Sequence, residues 1–226
     1  MKYPLIKAPS WRLFIQKEFY QAIGMMAMSQ LVLLVAALIP EYPKASIALN
    51  ILVMALTLLT IIFAYKIIKT QDALDNKPKT INFSWKHYAL SVLALVGYLY
   101  IQPVISSLFK IAQESQTNQE SINSMISAAP LAMFICVSII APICEELTFR
   151  LLLPKSFGNS IVVFIIMSIL FTALHTPNGI SGWMSYGLLA VILLSTRLLS
   201  DNITNSIATH ISWNSFTFLL SILLIK

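Results

Sequence analysis

The sequence predicts an all-α polytopic membrane protein, a bundle of about seven transmembrane helices. Three observations predict it. Of 226 residues, 58% are hydrophobic and only 11% are charged, against roughly 25% charged in an average soluble domain. The mean hydropathy is +0.79, more apolar surface than a soluble chain of this length can hide from water. The charges, finally, are parted by uncharged stretches close to the ~20 residues that a helix needs to cross a bilayer core. This pattern excludes an ordinary soluble enzyme and a disordered chain. It also argues against an outer-membrane barrel, whose strands alternate apolar and polar residues.

The spans follow in order. The first has 22 uncharged residues, Phe19 to Pro40, between Glu18 and Glu41. It is too long for a signal-peptide core and is read as retained. The second has 21 between Lys44 and Lys66, and the third 23 between Lys86 and Lys110, with His87 neutral at its mouth. The fourth runs from about Ser121 to Leu153 and is apolar apart from Glu145, Glu146 and Arg150. From Ser156 to Thr196 no acid, Lys or Arg occurs over 41 residues. His175, Pro177, Asn178, Gly179 and Gly182 divide that run into a fifth and a sixth helix. The seventh covers about Ile203 to Ile225. Residues 1–120 thus hold three helices with a basic tail and loop, and 121–226 hold the helices with unusual polar residues, all in one membrane domain.

Loop Lys and Arg set the expected orientation. Four precede the first span (Lys2, Lys7, Arg12 and Lys17), and five lie between the second and third (Lys66, Lys69, Lys77, Lys79 and Lys86). The alternate loops carry one each, Lys44 and Lys110. The N-terminus is therefore expected in the cytoplasm. The net charge of +6 is what cytoplasmic loops and anionic headgroups account for, so it gives no reason to expect a nucleic-acid partner. The partner expected from these features is the lipid bilayer. The basic tail is read as a simple anchor. Cys136 and Cys144 are eight positions apart, about 12 Å along one helix and too far for a mutual disulfide.

The fourth span is where a purely structural account becomes strained. Residues 131–153 contain twelve Leu, Ile, Val and Phe, which favour insertion by roughly 4–7 kcal/mol in total. Two acids and an arginine near the middle cost about 7–10 kcal/mol on the same scale. These charges must pair, neutralise or line a polar cavity. Glu146 and Arg150 share a helix face at i, i+4, whereas Glu145 points about 100° away. Two of the three histidines, His175 and His210, also lie in or beside apolar helices, and Asn214 follows His210 at i+4. A lone membrane histidine is commonly a helix–helix hydrogen bond. Two Glu, two His and an Asn on three helices point to a shared site.

Such a site supports chemistry on water. A carboxylate in a low-dielectric cavity suits general acid–base work, a histidine can orient the water, and a His–Asn pair can stabilise an oxyanion. Alternatively, Glu145, His175 and His210 ligate zinc and leave one position open for water. Both routes hydrolyse an amide. Cys144 beside Glu145 reads as a small buried thiol.

The three motifs resemble those of the CPBP family of intramembrane proteases, also called the CAAX protease and bacteriocin-processing (Abi) family, which includes the prenyl-protein type II CAAX endopeptidases. E-E-x-x-x-R reads E-E-L-T-F-R at Glu145–Arg150, F-x-x-x-H reads F-T-A-L-H at Phe171–His175, and H-x-x-x-N reads H-I-S-W-N at His210–Asn214. The resemblance covers roughly residues 128–216. It implies an intramembrane endopeptidase with a membrane-associated peptide or protein substrate, in which Glu145 activates water with help from His175. Glu146 and Arg150 would form the supporting pair, and His210 and Asn214 would hold the oxyanion. Many relatives carry Gly after the Arg, where this chain has Leu151, and some have an eighth helix. Relatives from Gram-positive bacteria are linked to bacteriocin or pheromone processing and to self-immunity. Twelve Lys against three Arg fit an AT-rich bacterial genome, so a bacterial plasma membrane is expected.

The competing readings are a non-proteolytic immunity or scaffold protein, and a small proton-coupled transporter. Intact motifs weigh against the first, and the lack of an inverted repeat weighs against the second. One geometric tension accompanies the site. Glu145 lies about 12 Å from the cytoplasmic end of its span and His175 about 25 Å from the same side, at 1.5 Å per residue. Tilt, a start of the fifth helix near Ser160, or a bend at Pro142 would close the gap.

Overall fold

A computed structural model describes residues 3–6, 16–74, 83–112, 114, 116, 120, 122–123, 125–126 and 129–224. Lys2, Lys7 and Arg12 of the basic tail, and Lys77 and Lys79 of the basic loop, lie outside the described residues. Among the described residues seven main helices follow one another and no strand occurs: α1 (Lys17–Glu41), α2 (Ser46–Leu74), α3 (Trp85–Leu108), α4 (Pro130–Ser156), α5 (Ile161–Leu174), α6 (Gly179–Ser200) and α7 (Ile203–Leu224). The expected helical bundle is present. Five of them, α1, α2, α3, α4 and α6, are long and apolar enough to cross a membrane.

The other two complete the expected seven and differ from these five. α5 has 14 residues and rises about 21 Å, short of a ~30 Å hydrocarbon core. α7 is long enough, but its first half carries Asn205, Ser206, Thr209 and His210, all buried against protein. α7 thus turns a polar half inward, whereas α5, though short, still exposes Ile165, Ile166, Ile169 and Leu170 on its outer face.

One end of the bundle is tied by named contacts. At the end where α1 begins, the Gln71 amide of α2 donates to Glu18 of α1, and Lys155 of α4 donates to Gln71. Asn205 of α7 bonds both the N–H and the C=O of Ser84, the N-cap of α3. The Ser84 hydroxyl also meets His87 Nδ1 at 2.7 Å, so His87 belongs to a helix cap at the mouth of the third span. The chain ahead of α1 is more than a loose anchor. Tyr3 is buried, packs edge-on against Phe164 and donates its hydroxyl to Asp201. The carbonyls of Pro4 and Leu5 accept from the first two N–H groups of α5, donors that a helix start leaves without partners.

α4 is the central helix and is not regular. Two stretches, Phe134–Ile140 and Thr148–Leu152, adopt the wider π form, a conformation concentrated at functional sites. Pro142 gives a local reason. In π register the carbonyl of Val137 would accept from residue 142, which as proline has no N–H. The carbonyl is left for another donor. Around α4 the core divides in two. Met25, Val32, Ile67, Met133, Ile140 and Leu147 join α1, α2 and α4. Leu95, Phe149, Met167, Phe171, Leu189 and Leu193 join α3, α4, α5 and α6. Cys136 and Cys144 are buried free thiols.

Candidate active site

The two adjacent glutamates of α4 have different surroundings because one helical step turns them apart. Glu146 has no accessible surface, whereas the Glu145 side chain keeps 17%. Glu146 faces α7 and Arg150. One of its oxygens lies 3.6 Å from Arg150 Nε and accepts the hydroxyl of Ser206; the other lies 3.1 Å from His210 Nδ1. Arg150 is fully buried, with its guanidinium carbon 4.2 Å above the centroid of the Phe171 ring. A cation desolvated over an aromatic face is held by the ring's quadrupole. The i, i+4 pairing expected from the spacing is therefore present, and it lies behind the cavity wall.

Glu145 instead faces a cavity of about 390 Å³. The same cavity is lined by His175, His210 and Asn214, together with Tyr98, Tyr186 and Trp213. Four of the six predicted side chains thus share one chamber, and the remaining two, Glu146 and Arg150, brace it. The depth difference between Glu145 and His175 is largely removed. α5 starts at Ile161, capped by Ser160, which puts His175 about 21 Å above that end. α4 continues to Ser156, which puts Glu145 about 16 Å above it.

The hydrogen bonds assign protons. His175 ends α5 with Nδ1 2.7 Å from the carbonyl of Phe171. A carbonyl only accepts, so Nδ1 carries the proton and Nε2 presents a lone pair. The imidazole lies between the rings of Phe171, at 4.5 Å, and Tyr186 of α6, at 4.7 Å. His210 donates from Nδ1 to the Glu146 carboxylate, and its Nε2 lies 3.8 Å from Glu145. It therefore links the two glutamates. Asn214 donates from Nδ2 to the carbonyl of Val137 at 2.9 Å, the acceptor released by the π register and Pro142.

The donors named for zinc do not converge. Among the described residues, no three His, Cys, Asp or Glu side chains form a group that could hold a metal ion. Glu145, His175 and His210 share a cavity without making a ligand cluster. Three contributors were not foreseen. Ser206 stands four residues before His210 and so on the same face, a spacing that could have revealed it. Asn205 and Tyr186 carried no comparable signal, because their partners come from distant parts of the chain.

Comparison with known proteins agrees with this segment. Residues 127–216 match the family model Rce1-like, described as type II CAAX prenyl endopeptidase Rce1-like. Three proteins of Lactococcus lactis subsp. lactis (strain IL1403) are similar. UPF0177 protein YvdC is 29% identical over 173 residues, covering 74% of this chain and 64% of that protein. UPF0177 protein YbdI is 26% identical over 184 residues, covering 81% and 96%. UPF0177 protein YaiF is 27% identical over 146 residues, covering 61% and 65%. The chain thus spans just under two thirds of the length of YvdC. No solved structure matches. The resemblance to the CPBP family drawn from the three motifs is borne out over the segment that carries them.

Proposed function

We propose that the chain is a CAAX-type intramembrane endopeptidase that hydrolyses peptide bonds of membrane-associated peptides or protein segments. One observation carries the reading: Glu145 is the sole carboxylate among the described residues that line the cavity, and it stands there with His175, His210 and Asn214. The family match over residues 127–216 supports the same chemistry.

The mechanism follows from the proton assignments. A water in the cavity donates one hydrogen bond to the Glu145 carboxylate and the other to His175 Nε2, both acceptors. Glu145 takes a proton as the water oxygen attacks the scissile carbonyl carbon. Negative charge passes to the carbonyl oxygen. Glu145, Glu146, Arg150 and His210 sum to zero charge when His210 holds both ring protons, and that form presents Nε2–H as the oxyanion donor. The second N–H of the Asn214 amide is a further donor, since the first is committed to Val137. Collapse of the tetrahedral intermediate breaks the C–N bond, and the proton on Glu145 passes to the leaving nitrogen. Glu146 and Arg150 act through His210 and the helix rather than on substrate. In a bacterial plasma membrane, processing of a bacteriocin or pheromone peptide, or self-immunity, would use this reaction.

The test compares wild type with Glu145→Gln on peptides reconstituted in bilayers, with mass spectrometry of the products. General acid–base catalysis contributes about 10²–10⁴-fold, so cleavage in the variant should fall at least about 100-fold with expression unchanged. A Glu145→Gln protein as active as wild type refutes the assignment.

A further inference from the structure

The helix ends gather into two faces, and the cavity belongs to one of them. At the first face lie the starts of α1, α3, α5 and α7 and the ends of α2, α4 and α6. The bonds Gln71–Glu18, Lys155–Gln71, Asn205–Ser84 and Tyr3–Asp201 tie them together. At the second face, Gln102 near the end of α3 bonds Ser185 near the start of α6, and Phe134 of α4 packs on Phe218 of α7. The cavity lies toward this second face. Its lining includes Gln116 and Ile122 from the α3–α4 connection, Leu174 and His175 from the end of α5, and Ser185 and Tyr186 from the first turns of α6. The Gln116 amide bonds both the N–H and the C=O of Asn178, which joins the α3–α4 connection to the α5–α6 turn beside the chamber.

The charges divide along the same line. Of the Lys and Arg among the described residues, six belong to connections or helix ends of the first face: Lys17, Lys66, Lys69, Lys86, Lys155 and Arg197. Arg150 is inside the bundle. Among the described residues only Lys44 and Lys110 belong to the second face, beside Glu41, Glu114 and Glu120. Loop Lys and Arg counted close to the spans determine which face stays in the cytoplasm, and acids contribute little to that choice. An imbalance of six to two among the described residues sets one orientation.

We infer that the cavity opens on the extracytoplasmic face of the membrane, so that the bond cut lies in a segment presented from that side: an exported peptide, or the outward end of a membrane-anchored one. The substrate class rests on the protease reading of the preceding subsection; the orientation does not. The uncharged polar and aromatic lining, with Gln30, Gln116, Tyr98, Tyr186 and Trp213, suits an uncharged stretch of peptide.

The orientation is tested by labelling single added cysteines with a membrane-impermeant maleimide, in right-side-out and in inverted membrane vesicles. The two native cysteines are buried, so unsubstituted protein serves as the blank. Lys110→Cys reports the second face, Lys69→Cys the first, and Gln30→Cys the cavity, since Gln30 is an exposed mid-helix residue of α1 that lines it. The expected result is labelling of Lys110→Cys and Gln30→Cys in right-side-out vesicles only, and of Lys69→Cys in inverted vesicles only. The reverse pattern overturns the inference, and so does a Gln30→Cys protein that labels from the first face or from neither. Peptide cleavage measured on the same vesicles keeps the two readings apart. Reversed labelling with Glu145-dependent cleavage sinks the orientation alone. Labelling as expected with no cleavage by wild type sinks the protease reading alone.

Discussion

Arg150→Ala is the most informative single perturbation of the site. The side chain is fully buried, 3.6 Å from a carboxylate with no accessible surface and 4.2 Å above an aromatic ring. Removing it leaves Glu146 as a buried charge whose remaining partners are Ser206 and His210. Breaking a buried ion pair from one side costs about 3–5 kcal/mol, and the lost contact with Phe171 adds about 1–2 kcal/mol. Retained hydrogen bonds from Ser206 and His210 offset part of this, so about 4 kcal/mol is expected. At roughly 2–4 °C per kcal/mol for a chain of this size, Tm falls by about 10 °C. The assay is thermal unfolding in detergent, followed by tryptophan fluorescence and by loss of the monodisperse peak. A double-mutant cycle with Glu146→Gln sharpens it. Because the arginine's loss hurts by stranding the acid, Arg150→Ala should cost less in the Glu146→Gln background, with a coupling of about 1–3 kcal/mol. A single variant with wild-type Tm, or a double variant whose losses simply add, would refute the ion-pair argument.

Further predictions concern the chamber itself. Tyr186→Leu removes the ring that α6 places against His175; kcat should fall about tenfold with KM nearly unchanged, while Tyr186→Phe keeps the stack and the rate. Equal kcat in wild type and the Leu variant would exclude Tyr186 as a positioning residue. Asn214→Leu strands the Val137 carbonyl in the π segment and should lower stability by about 1–3 kcal/mol; unchanged thermal unfolding would show that the carbonyl finds another donor. Prolonged incubation with a strong zinc chelator should leave cleavage intact, because Glu145, His175 and His210 do not form a ligand cluster. Loss of activity restored by added zinc would refute the metal-free mechanism.

The sequence alone determined the features that depend on composition and short spacing. Uncharged stretches near 20 residues marked the helices because an apolar segment has no comparable alternative to a bilayer. Glu146 with Arg150, and Glu145 turned away from them, followed from the helical period. The three motifs named the side chains of the chamber because their offsets place each pair on one helix face. Tertiary structure decided everything that depends on which faces meet. It made α5 short and started it at Ile161, where Pro4 and Leu5 can cap it, and so brought His175 close to the depth of Glu145. It set Ser206 and His210 against Glu146 across 60 residues or more and brought Tyr186 onto His175. It converted parts of α4 to π form, so that the donor missing at Pro142 is replaced by Asn214 from another helix. Hydropathy and helical period are properties of neighbouring residues and are legible along the chain. The selection of one packing among several apolar faces is a sum over distant contacts, and no local pattern carries it.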